Sequence, residues 1–257
     1  MWLRLRQIAL VARELEPVVN DFRNVLGIEV GYRDPGVGRF GLENALMPIG
    51  NQLLEVVAPI EEGTAGGRYL ERRGGDGGYM VITQCDDHGP RRKRVKELGV
   101  RLAHQFEVPG KFRNMQLHPK DTGGSFFEID EQLGEGAHDP DGPWDPAGDN
   151  WKEARRLDVV TAITAAEIQS DDPDRLAARW SEIAEIPVER DADGNATIEL
   201  KDATLRFVKA TDGRGEGLGG IDVKVADRDR LLNAARARGA YRSDEQVYLC
   251  GMRVNLR

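Results

Sequence analysis

The chain has 257 residues, 40% hydrophobic and 31% charged, a balance that marks a globular protein long enough for two domains of ordinary size. Its formal net charge of −8, from 36 basic and 44 acidic residues, argues against a general nucleic-acid binder, whose footprint is a concentrated basic face. No apolar run approaches the roughly 18 residues of a membrane span and the N-terminus enters an apolar stretch without signal-peptide architecture, so no membrane partner and a cytoplasmic location are expected.

In chain order, RQIALVARELEPVVNDFRNVLG (Arg6 to Gly27) reads as a strand, an amphipathic helix and a stop. Leu15, Val18, Val19, Phe22 and Leu26 follow the helical spacing that buries one face, and Gly27 ends it. Between Gly27 and Pro59 the stretches IEVGYR, RFGLEN, ALMPI and NQLLEVVAP, separated by Gly and Pro, predict an antiparallel meander, so the unit is one strand, one helix and three strands. GYMVITQCDDHGPRRKRVKELG (Gly78 to Gly99) repeats the opening, and GGSFFEIDE repeats the closing strand. Glu128 follows Glu55 by 73 positions and Met80 follows Gln7 by the same 73, which is an internal duplication. The basic run Arg91, Arg92, Lys93, Arg94 and Lys96 falls on the second helix, where most of it should form a solvated face.

From Glu131 to Arg156 the chain is rich in Gly, Pro and Asp with no sustained hydrophobic period. This places a boundary there, with domains over 1–132 and 157–257 and a linker over 133–156 that Trp144 and Trp151 pin down. Weaker copies of the unit open at Thr164 to Val188 and Gly219 to Ala240, making four in all. Cys85 and Cys250 lack CxxC spacing and read as buried free thiols rather than a disulfide or zinc framework.

This tandem unit, opening on QIALVARELEPVVNDFRNVLGIE and carrying a Glu in each closing strand, resembles the vicinal oxygen chelate superfamily of glyoxalases, bleomycin-resistance proteins and extradiol dioxygenases. LHPKDTGGSFFEID (Leu117 to Asp130) is similar to the last strand pair of methylmalonyl-CoA epimerases. The resemblance implies an α+β fold of two domains, each of paired βαβββ units whose sheets form half-open barrels. It also implies one divalent metal, Mg, Mn, Co, Ni or Zn, with no organic cofactor, held at Gln7, Glu55, Met80 and Glu128. Met80 stands where the family places His, and a thioether is a poor ligand for a hard cation, which leaves Gln7, Glu55 and Glu128 as the metal donors. A one-residue shift of register would turn Tyr79 inward instead. His88, His104, His118 and His138 miss the ligand positions, which weighs against an extradiol dioxygenase, and His118 before Pro119 reads as a structural hydrogen-bonder.

A Glu at the centre of a strand can face solvent, since alternate residues face opposite sides. The equivalence of Glu55 and Glu128 in two copies favours an inward polar cluster. The resemblance then implies a metal-dependent lyase or isomerase, epimerase-like, moving a proton next to a carbonyl of a small oxygenated substrate with Glu128 or Glu55 as base. The alternative is a metal-free cleft that sequesters a small molecule, with Tyr79, Met80 and Phe40 as walls and Glu43 as a further cavity candidate. The equivalent positions of the C-terminal half, Ala165, Arg206, Gly220 and Asn255, hold no metal set, so that half reads as a structural partner or a homodimer surface.

Overall fold

The computed structural model describes residues 1–123 and 125–257; Gly124, inside the LHPKDTGGSFFEID motif, lies outside the described residues. The N-terminal half runs β1 (Leu3–Val11), α1 (Leu15–Leu26), β2 (Leu42–Ile49), β3 (Gln52–Pro59), α2 (Ala65–Arg73), β4 (Gly77–Cys85), α3 (His88–Glu97), β5 (Leu102–Val108), β6 (Phe112–Leu117), α4 (Pro119–Thr122) and β7 (Phe126–Gln132). The C-terminal half runs β8 (Val160–Ser170), α5 (Pro173–Ala184), β9 (Glu189–Arg190), β10 (Ala196–Glu199), β11 (Thr204–Lys209), β12 (Gly217–Val225), α6 (Arg228–Ala237), β13 (Tyr241–Ser243), β14 (Gln246–Leu249) and β15 (Met252–Leu256). No helix among the described residues is long and apolar enough to cross a membrane.

The first helix forms as its spacing predicts. Leu15, Val18, Val19, Phe22, Val25 and Leu26 are buried, and Gly27 closes α1 in the left-handed conformation at φ 67°. A side chain there would be doubly penalised, because a Cβ on Gly27 would come within 2.6 Å of Val159 Cγ2.

The strands form two sheets, ordered β2-β3-β1-β4-β7-β6-β5 and β13-β14-β15-β12-β8-β11-β10-β9. This corrects the half-open barrel. Both sheets are open, ending on β2 and β5 in one and on β13 and β9 in the other, and neither closes or curls. The first unit is also one strand short. IEVGYR contributes only an isolated bridge from Tyr32 to Leu46, and Asp34 caps a 3-10 turn over Pro35–Phe40 where RFGLEN was expected to begin a strand. Proline has no N–H to give a ladder and its fixed φ suits the first turn of a helix, so the segment leaves the sheet there.

The chain packs as two compact units, each drawing on both halves of the sequence. One comprises Met1–Gln7, Tyr79–Asp145 and Ala165–Leu218; the other comprises Ile8–Gly78, Pro146–Thr164 and Gly219–Arg257.

In the first unit β7 lies parallel to β4, with Ile82 opposite Glu128 and Gln84 opposite Asp130, and antiparallel to β6, with Gln116 opposite Glu128. The stretch after β7 is well held. The Arg4 guanidinium donates to Gln84 Oε1 at 2.8 Å and to the Ala137 carbonyl at 3.1 Å. Arg6, wholly buried, donates to the carbonyls of Pro140 at 2.9 Å and Gly142 at 2.6 Å. Burial, with Arg4 nearby, pushes the Arg6 guanidinium down to about 9, so it stays charged at neutral pH. Trp144 is buried beneath the Arg6 guanidinium, with 5.4 Å to its ring centroid. Arg91 departs from the expected solvated face of α3. It is buried, donates to the Ala184 carbonyl at the end of α5, and leaves Arg92, Lys93 and Lys96 as the exposed part of the run.

In the second unit β2 and β3 form a long antiparallel pair with Leu46 opposite Glu55. Trp151 is buried there, and Gln52 Oε1 accepts from the Ile163 amide at 3.2 Å.

Candidate active site

Strand alternation places Glu128 and Asp130 on one face of β7, and both are buried, at 7% and 0% exposure. Glu128 Oε2 accepts from Gln116 Nε2 at 3.0 Å, and the same amide nitrogen lies 3.7 Å from Met80 Sδ. Met80 therefore shares the surroundings of Glu128. Tyr79 is buried in edge-on contact with Phe126, at 5.0 Å between ring centroids.

Asp130 accompanies Glu128 more closely than any residue singled out from the repeat. Asp130 Oδ1 accepts from Asn114 Nδ2 at 3.0 Å and from the Met115 amide at 3.2 Å. The two carboxyls are within hydrogen-bonding reach of each other. Burial raises the Glu128 pKa above the usual carboxylate range, against the hydrogen bonds from its neighbours. Asp130 is raised further, by burial first and then by the charge of Glu128. The chemistry available here is that of a desolvated, poorly stabilised carboxylate, which is a stronger base than one in water.

Gln7 also lies in this unit, buried, with its Oε1 accepting from Trp144 Nε1 at 3.0 Å. In the other unit Glu55 is buried on β3 and its Oε1 accepts from Asn44 Nδ2 at 2.6 Å, while Asn44 Oδ1 accepts from the Asp34 amide at 2.8 Å. Glu43, one residue before Asn44 on β2, faces solvent. Phe40 is 44% exposed beneath the Arg39 guanidinium. Sequence reasoning missed Asp130, Asn114, Gln116 and Asn44. A period-two reading of RNMQL against FEIDE would have aligned Asn114 and Gln116 with the two acids.

The C-terminal positions equivalent to the predicted ligands are occupied as follows. Ala165 and Gly220 are buried without donor atoms in their side chains, Arg206 pairs with Glu167 at 2.7 Å, and Asn255 donates to Asp222 at 2.8 Å. His118 Nδ1 accepts from the Lys120 amide at 3.2 Å and caps α4, a structural role.

A family model described as a glyoxalase-like domain matches residues 8–184. The chain is similar to the ethylmalonyl-CoA/methylmalonyl-CoA epimerase of Cereibacter sphaeroides, at 29% identity over 132 residues, covering 50% of this chain and 97% of that protein. It is also similar to the mitochondrial methylmalonyl-CoA epimerase of Bos taurus, at 25% identity over 130 residues, 50% of this chain and 74% of that protein. Among solved structures, a hypothetical protein from Staphylococcus aureus aligns with a TM-score of 0.65 and 13% identity, covering 100% of this chain and 99% of that one, a likeness of fold. The family match spans well over half of the sequence and includes the strands that carry Glu55 and Glu128, and on that ground the chain belongs to the glyoxalase-like domain family.

Proposed function

We propose that this chain is an epimerase-type enzyme that moves a proton next to the carbonyl of a small acyl-CoA thioester. The carrying observation is the Glu128 carboxyl, buried on β7 with its pKa raised by desolvation. A proton on carbon beside a thioester is weakly acidic, so a carboxylate that has lost its hydration is the better acceptor for it. Gln116 donates to Oε2 of Glu128 and helps fix the orientation of the carboxyl. Glu55, oriented by Asn44, is the second carboxylate assigned to proton transfer. The epimerase relatives align with half of this chain and support the substrate class. In this reading the 1–132 half carries the site and the 157–257 half is its degenerate copy, within a cytoplasmic protein that forms a homodimer.

The donor chemistry fits a divalent ion. Gln7, Glu55 and Glu128 all carry buried side-chain oxygens, the hard donor type such an ion prefers. Within the first unit Gln7 and Glu128 are the residues that would hold it, and a bound ion would act as a Lewis acid on the thioester carbonyl oxygen. The competing reading, a metal-free binding cleft, draws on the Trp144 indole that already occupies Gln7 and on the sulfur of Met80 beside Glu128.

Incubation with methylmalonyl-CoA in heavy water separates the two. The enzyme reading expects deuterium at the carbon between the carbonyls by NMR, lost in Glu128→Gln and reduced in Glu55→Gln. Absence of exchange across a panel of acyl-CoA thioesters, with binding of any of them retained, favours the cleft.

A further inference from the structure

Two exposed apolar residues of the second unit lie together where β2 begins and β3 ends. Phe40 is 44% exposed and Ile60 56% exposed, and the Ile60 amide donates to the Gly41 carbonyl at 2.9 Å, which brings their backbones side by side. A fixed turn presents Phe40. Asp34 Oδ1 accepts from the Gly36 amide at 2.7 Å, and Gly41 donates to the Gly38 carbonyl at 2.9 Å. Gly41 takes the left-handed conformation at φ 68°, where a Cβ would come within 2.7 Å of Thr64 Cγ2. The Arg39 guanidinium lies over the Phe40 ring at 4.7 Å. Single exposed apolar residues are ordinary, but an aromatic ring, a planar guanidinium and an aliphatic residue in one place form a contact surface for a flat ring.

The same turn is tied to Glu55, because the Asp34 amide donates to Asn44 and Asn44 donates to Glu55. Along β3, Ile60 lies five residues beyond Glu55, about 17 Å at the rise of a strand. A coenzyme A thioester held at Glu55 by its acyl end extends an arm of that order before its nucleotide begins. The neighbouring acids decide which part of the nucleotide fits. Glu61 and Glu62 follow Ile60, both exposed, and a Cβ on Gly41 would stand 3.1 Å from Glu61 Oε2. They would repel a phosphate, whereas adenine is uncharged and carries an amino group that donates to a carboxylate. We propose that Phe40 and Ile60, with Arg39, form a subsite for the adenine ring of the coenzyme A thioester. The ring and the guanidinium are the planar surfaces on which the base stacks. This inference rests on the acyl-CoA reading of the preceding section and adds the place where the far end of the substrate is held.

The test is calorimetric binding of free coenzyme A, dephospho-coenzyme A and pantetheine to the full chain, a measurement that does not depend on proton transfer. Wild type should bind the two nucleotides alike, and about 10-fold or more tighter than pantetheine, as stacking of one base requires. Phe40→Ala should lose that advantage and Phe40→Trp should keep it, with pantetheine affinity unchanged in both. Phe40 is exposed, so neither substitution opens the core, and circular dichroism checks the fold. An undiminished advantage in Phe40→Ala overturns the subsite. So does a wild type that binds coenzyme A no better than pantetheine. Weaker binding on removal of the ribose phosphate would put a phosphate contact in place of the base and overturns it as well. Deuterium exchange into methylmalonyl-CoA decides the acyl-CoA reading separately, since exchange can persist in wild type when the subsite fails.

Discussion

The Trp180 indole lies flat on the Phe127 ring, with centroids 4.4 Å apart and planes 7° from parallel. Phe127 immediately precedes Glu128 on β7, and Trp180 Nε1 donates to the Thr122 carbonyl at 2.8 Å, so one α5 side chain braces the strand and the turn leading into it. Trp180→Ala should therefore destabilise the protein by about 3–5 kcal/mol, the range for deleting a large buried aromatic. Trp180→Phe should cost less, having lost the indole donor but kept an aromatic ring. Urea unfolding curves give both values; equal stability of Trp180→Ala and wild type would show that the stack contributes nothing.

Trp144 tests the support of Gln7. Trp144→Phe keeps a ring for Arg6 and for the edge-on contact with Phe112 at 5.3 Å, but removes the donor to Gln7 Oε1. The expected loss is about 1–2 kcal/mol, that of one buried hydrogen bond whose acceptor is left unpaired. If Gln7 is a metal donor, the same variant should leave ion affinity equal to or above that of wild type, because the competing N–H is gone.

Glu128→Gln keeps an oxygen acceptor for Gln116 and the side-chain length, so the fold should survive. Deuterium exchange into a thioester substrate should nevertheless fall by about 100-fold or more, because a neutral amide cannot accept the proton. Full exchange in a folded Glu128→Gln protein would remove this residue from the mechanism.

The two cysteines should separate in reactivity. Burial, reinforced by Glu131 and Asp130, pushes the Cys85 thiol far above its ordinary range, whereas Cys250 is only half-buried. A chromogenic disulfide reagent should label Cys250 in the native protein and reach Cys85 only as the chain unfolds. Labelling of Cys85 at the rate of Cys250 would contradict its burial.

His88 makes stability depend on pH in the acid direction. Burial lowers its pKa below 6.5, opposed by nearby Glu131 and reinforced by Arg92 and Arg113, so the folded state holds it neutral. The unfolded chain then binds the extra proton first as pH falls. The contribution is complete above the unfolded pKa of about 6.5 and is lost progressively as pH drops below it toward the folded value. Thermal unfolding of wild type and His88→Asn between pH 5 and pH 8 should show wild type losing more stability than the variant on the acid side; parallel curves would mean His88 does not carry the effect.

The parts of this protein legible in the sequence are those set by local pattern. The α1 stripe from Leu15 to Leu26 and the stop at Gly27 depend on helical periodicity and on glycine's access to positive φ, and both appear where the pattern puts them. The duplication survives as a 73-residue offset because strand parity and the position of a central acid are kept along the chain, and so Glu55 and Glu128 both arrive buried on closing strands. Other features required contacts between distant segments. Trp144 reaches Gln7 across 137 residues, and no spacing rule links an indole in a Gly/Pro-rich stretch to the first strand. Arg91 looks like part of a solvated basic face until the end of α5 supplies its carbonyl partner. Whether IEVGYR would join the sheet, and whether the sheets would curl, depended on edge pairing that a short apolar run does not encode. Asp130 marks the boundary between the two kinds of information. Parity alone puts it on the face of Glu128, but only the packing of β6 and β4 against β7 removes both carboxyls from water and sets them within hydrogen-bonding reach of each other.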